Sequence, residues 1–132
     1  MDFGLHMPFR NPPIWHRPYA DLYAEHLTHI ERAEELGYDT VWLTEHHFSE
    51  DGYSPSLIPI ASAIAARTQR IRIGTAVLLT SFHHALRLAE DAALVDILSN
   101  GRFDLGLGAG YGQVEFDGYG VRMSDRDRKS VV

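Results

Sequence analysis

The chain has 132 residues, a formal net charge of -6 and no cysteine, with 45% hydrophobic and 23% charged residues. That length supports one domain with a sizeable core, and the acidic balance argues against nucleic acid as a partner. The lack of cysteine removes disulfides, thiolate metal sites and a cysteine nucleophile. No apolar run approaches the roughly 18 residues a membrane helix needs, and the N-terminus lacks a signal-peptide layout, so a cytoplasmic protein is expected.

Phe3-Gly4-Leu5-His6-Met7 reads as a first strand. Pro8, Pro12, Pro13 and Pro18 then impose an irregular loop that carries Trp15 and His16 and is long enough to fold over a site. Tyr19, Leu22, Tyr23, Leu27, Ile30, Ala33 and Leu36 recur at helical spacing, and Gly37 ends that amphipathic helix. The second strand starts at Thr40, and its continuous run Val41-Trp42-Leu43 is that of a parallel strand covered on both faces. Glu45, His46 and His47 follow where this strand runs out. A polar loop, Ser49 to Ser54, leads to a second helix over about Leu57 to Arg67, with Pro59 tolerated in its first turn.

The third strand is expected to run from Ile71 to Leu79, with Ser81-Phe82-His83-His84 as its exit loop. A third helix follows over about Ala85 to Leu98, with Leu86, Ala89, Ala93 and Ile97 on one face and Ser99-Asn100-Gly101 as its stop. Phe103 to Gly108 reads as a fourth strand with the glycine-rich exit Ala109-Gly110-Tyr111-Gly112. From Arg122 the chain is charged, so residues 1–121 form the domain and residues 122–132 an exposed tail or the start of a further helix.

Strands beginning near residues 3, 40, 71 and 103 alternate with helices, which implies an α/β fold with parallel pairing. Four such units fit a small open sheet or half of an eight-fold barrel of about 250 residues, and the periodicity leaves both open. In either architecture chemistry gathers at the carboxyl ends of the strands. An acid and two imidazoles at residues 45–47 therefore mark a candidate site.

Four blocks in register carry a family resemblance. Gly37-Tyr38-Asp39-Thr40-Val41-Trp42-Leu43-Thr44-Glu45-His46-His47-Phe48 resembles the second-strand signature of the bacterial-luciferase-like flavin monooxygenases. Arg72-Ile73-Gly74-Thr75-Ala76-Val77 resembles their third strand, and Leu86-Arg87-Leu88-Ala89-Glu90-Asp91 with Leu98-Ser99-Asn100-Gly101-Arg102 their third helix and its stop. Gly106-Leu107-Gly108-Ala109-Gly110-Tyr111 with Glu115-Phe116 resembles the fourth strand and its loop.

The resemblance implies four β-α units of a (β/α)8 TIM-like barrel, a half-barrel of parallel strands forming the N-terminal part of a longer fold. It implies an oxidoreductase that uses reduced FMN and O2 on a small organic substrate, with a flavin reductase supplying the reduced flavin. One branch of the family uses a reduced deazaflavin instead, as a reductase or dehydrogenase. By the same resemblance His46 sits beside the flavin ring and assists proton transfer. Glu45, Ala76, Val77, Gly108 and Gly110 belong to the cofactor pocket, with a cis peptide at Ala76-Val77.

Each residue also has a plainer reading. His46 can be a strand-end histidine bonded to backbone, and Glu45 a structural ion pair or hydrogen bond. Alternating glycines at 106, 108 and 110 suit either a flat ring passing the strand or a tight interior. They do not make a dinucleotide fingerprint, because the third glycine position falls on Tyr111 or Gln113. His83 and His84 read as solvent or pocket-wall residues. Where some luciferases carry a phosphate-binding arginine, this chain has Ala109. A metal site built on Glu45, His46, His47, His6 and His83 is the rival chemistry, but neither His-x-His nor HExxH spacing is present. A third class is a non-catalytic half-barrel that forms a homodimer or docks on a partner through its open sheet edges.

Overall fold

In the computed structural model, which describes residues 1–126, single strands or strand pairs alternate with helices along the described residues. The strands are β1 (Gly4–Met7), β2 (Thr40–Leu43), β3 (Arg72–Thr75), β4 (Leu78–Leu79), β5 (Phe103–Asp104) and β6 (Leu107–Gly108). The helices are α1 (Tyr19–Glu35), α2 (Leu57–Arg67), α3 (Ala85–Ser99) and α4 (Gln113–Tyr119). One parallel sheet has the order β1-β2-β3-β5, and β4 pairs in parallel with β6. The expected α/β class with parallel strands is therefore what the chain adopts. Residues 122–132 reach the described part only through a 3-10 turn at Met123–Asp125 and through Arg126; the rest of the expected tail lies outside the described residues.

Side chains alternate across each strand, and only one side of the sheet is covered. Leu5, Met7, Val41, Leu43 and Ile73 pack with Ile30 of α1, Ile60 and Ile64 of α2, and Leu88 and Val95 of α3 in one core. Trp42, between two core residues, points the other way and is 37% exposed. Its indole lies over Gly4 of β1 and Gly74 of β3, where any side chain would overlap it. On the same open face Arg72 of β3 donates to Asp104 of β5 at 2.7 Å. The run Val41-Trp42-Leu43 is thus covered on one face, not two.

Three further expectations change. The third and fourth strands are each broken in two, at Ala76-Val77 and at Leu105-Gly106. The Thr75 hydroxyl replaces ladder bonds there: it accepts from Gly106 N–H at 2.9 Å and donates to Gly106 C=O at 2.7 Å. Helix α3 buries Leu88, Ala92, Val95 and Ser99, and leaves Leu86, Ala89, Ala93 and Ile97 exposed. This helix is apolar over most of its circumference, so spacing does not select the buried stripe. Helix α4 was not expected at all, because its seven residues lie among glycines 112, 118 and 120.

Candidate active site

The three ionisable residues after β2 separate into a buried pair and a half-open imidazole. Glu45 is 3% and His47 7% exposed. His47 Nε2–H donates to Glu45 Oε1 at 2.7 Å, and the opposite nitrogen, Nδ1, is hydrogen-bonded with the Tyr119 hydroxyl at 3.1 Å. Glu45 Oε2 accepts the Leu79 N–H at 3.0 Å, and His83 Nε2 stands 3.6 Å from Oε1. Tyr119 and Phe82 stack over this pair with centroids 4.5 Å apart. Burial alone would raise the Glu45 carboxyl, but the hydrogen bonds of His47 and Leu79, the nearby His83 imidazole and the charge of His47 outweigh it and hold it below the usual range. Burial raises the Tyr119 hydroxyl, and the carboxylates of Glu45 and Glu115 push it further.

His46, in the loop beyond the end of β2 at Leu43, makes a separate set of contacts. Its N–H donates to Ser54 C=O at 3.3 Å, and its ring lies edge-on between Tyr53 at 4.9 Å and Tyr111 at 5.8 Å. Nδ1 lies 3.0 Å from Oε1 of Glu115, which also accepts the His47 N–H at 2.9 Å. Glu115, brought 69 residues along the chain by α4, is 2% exposed. The Tyr53 hydroxyl continues the polar surface through Thr44 Oγ1 at 2.7 Å to His6 Nε2 at 3.2 Å.

The remaining sequence-predicted positions share this carboxyl end. Ala76 and Val77 follow β3, are joined by a cis peptide and are both exposed, Val77 by 38%. Gly108 ends β6, where a Cβ would collide with Val77. Close approach of the Val77 side chain therefore accounts for that glycine. Gly110 has φ +80°, a conformation that L side chains rarely adopt. Ala109 offers no cation. Small exposed apolar groups at Ala76 and Val77, with an imidazole and two tyrosines at the same strand ends, fit one face of a planar heteroaromatic ring; they supply no phosphate cradle. Among the described residues no group of three or more His, Cys, Asp or Glu is placed to hold a metal ion. No described helix is long and apolar enough to cross a membrane.

Sequence reasoning passed over Tyr53 and Tyr119, and placed Glu115 in a family block without giving it a role. Glu115 also carried a local signal, an acid in the first turn of a glycine-preceded helix. Nothing local links it to His46.

The fold is that of a β/α barrel segment, and comparison with known proteins gives its family. The luciferase-like monooxygenase family matches residues 1–130, and the chain belongs to that family. It is 35% identical over 125 residues to the alkanal monooxygenase alpha chain of Photobacterium phosphoreum, covering 95% of this chain and 34% of that protein. It is 34% identical over 111 residues to an uncharacterized protein, y4vJ, of Sinorhizobium fredii, covering 84% of this chain and 32% of that one. The chain therefore spans about a third of the length of these curated relatives.

Among solved structures, the monooxygenase RslO1 from Streptomyces bottropensis superposes with a TM-score of 0.90 at 35% identity, over 98% of this chain and 39% of that one. The oxygenating constituent of 3,6-diketocamphane monooxygenase from Pseudomonas putida, in complex with FMN, gives 0.87 at 23% identity, over 99% and 37%. A coenzyme F420 dependent tetrahydromethanopterin reductase from Methanopyrus kandleri gives 0.65 at 23% identity, over 92% and 30%. The last two likenesses speak for the fold alone.

Proposed function

We propose that this chain forms the flavin-facing part of a monooxygenase site that takes reduced FMN and O2 and acts on a small organic substrate, with a separate flavin reductase supplying the reduced flavin. The observation that carries this reading is His46, 33% exposed by its side chain, at the same strand ends as the bare apolar step Ala76-Val77. Ala76, Val77, Gly108 and Gly110 would hold one face of the ring. Reduced flavin, when bound, supplies the two electrons with which one oxygen atom enters the substrate and the other leaves as water.

The chain's own residues have separate tasks. His46 holds or releases a proton at Nε2, a task for which an imidazole is chemically suited. Tyr53 and Tyr111 flank that ring and limit its access to water. Glu45 supports the pocket from beneath: its bonds to His47 and Leu79 fix the ends of β2 and β4 against one another.

The test is an anaerobic titration of the chain with reduced FMN and, separately, with a reduced deazaflavin, followed by admission of air. Saturable FMN binding with faster O2 consumption than free flavin supports the reading. Binding of the deazaflavin alone would move the chain to the reductase branch, a reading favoured so far only by the fold of the F420 dependent neighbour. Failure of both, together with a stable homodimer in sedimentation, would favour the non-catalytic module joined through the edge strands β1 and β5.

A further inference from the structure

Glu115 is unlike the other well-buried carboxylate of the site. Both oxygens of Glu45 have hydrogen-bond partners. Glu115 puts all of its bonding on Oε1, shared by the His47 N–H at 2.9 Å and His46 Nδ1 at 3.0 Å. Its Oε2 is buried without a partner, against Gly112. A buried carboxylate oxygen with nothing to accept costs stability, so stability alone is a poor reason for an acid here. A carboxylate only accepts, so the shared proton on the imidazole must sit on Nδ1.

We infer that Glu115 is the positioning residue for His46: it fixes the neutral imidazole as the Nδ1–H tautomer and leaves Nε2 as the free proton acceptor. Among the described residues no group hydrogen-bonds Nε2. The backbone N–H of His47 ties the same oxygen to the strand end, so the carboxylate cannot swing away without giving up a second bond. Orientation by a second group is the general logic of a working imidazole. This inference deepens the proposed role of His46 and rests on it for its functional meaning, but the tautomer itself is a property of the flavin-free chain.

The test is 15N NMR of the His46 ring at a pH where it is neutral, in the absence of flavin. In the unsubstituted chain Nδ1–H is expected to outweigh Nε2–H by roughly tenfold or more, because a charge-assisted bond sets the choice. Glu115→Gln keeps an oxygen acceptor for both donors and should keep this tautomer. Glu115→Ala should return the ring to the Nε2–H form that free histidine favours. An Nε2–H ring in the unsubstituted chain, or a tautomer ratio unchanged in folded Glu115→Ala, would overturn the inference. If the alanine variant does not fold, the unsubstituted and glutamine chains still decide it. Neither result depends on flavin binding, so failure here and failure of the monooxygenase reading are separable.

Discussion

The two ends of the sheet use polar side chains in opposite ways. At the amino ends, Glu34 of α1 accepts the N–H groups of Gln69, Arg70 and Ile71 at 3.0, 2.6 and 2.7 Å. Arg102 donates to the carbonyls of Ser99, Ile71, Ala65 and Thr68 and to the Thr68 hydroxyl. These side chains saturate backbone groups that the helix and strand termini leave open. At the carboxyl ends, the Glu45–His47 pair is equally closed, but beside it His46 Nε2 and Glu115 Oε2 have no hydrogen-bond partner among the described residues. One end is built for closure, and the other keeps bonding capacity in reserve. That contrast is the physical mark of a site.

Substitutions should break the contrast unequally. The largest loss of stability is expected for Arg102→Met, about 3–4 kcal/mol, because several acceptors lose their donor at once. Urea denaturation measures it, and flavin binding by the folded fraction should be unchanged. Glu45→Ala should follow at about 2–3 kcal/mol, since the Leu79 N–H and the His47 ring lose a charged acceptor.

Acid sharpens the second case. The Glu45 carboxyl lies below its unfolded value, so its contribution is present above the ordinary carboxylate range and is lost as pH falls through the depressed value. Glu45→Gln should flatten that acid limb of the urea midpoint. At the amino end Glu34 titrates in the same sense: burial raises its carboxyl, and the backbone donors Ile71, Arg70 and Gln69 more than offset this. Glu34→Gln should cost about 1 kcal/mol at neutral pH. The smallest stability effect, under about 0.5 kcal/mol, is expected for His46→Gln, whose ring is partly exposed. Its effect on flavin-dependent turnover should be about 100-fold or more, read from initial rates at saturating flavin.

Much of the fold was legible in the sequence because each element declared itself locally. The three- and four-residue spacing from Tyr19 to Leu36 and the apolar Leu57 to Arg67 became α1 and α2 with few changes. The strand ends at Glu45-His46-His47 and at Ala76-Val77 were legible through the family blocks, down to the cis bond. What was hidden is non-local. The break at Gly106 depends on a threonine 31 residues away, and the buried side of α3 depends on which helix it meets. The partner of His46 sits on a helix too short and too glycine-rich to signal itself, and no spacing in the sequence joins Glu115 to residue 46.

The most direct test of the site is residue-resolved mapping of reduced FMN by anaerobic 1H–15N NMR. Saturable shifts concentrated at His46, Ala76, Val77 and Gly108, with Glu34 and Arg102 unmoved, are the expected result. Shifts centred on the amino ends of the strands, or no saturable shift at any flavin concentration, would contradict a flavin site at the carboxyl ends of the sheet.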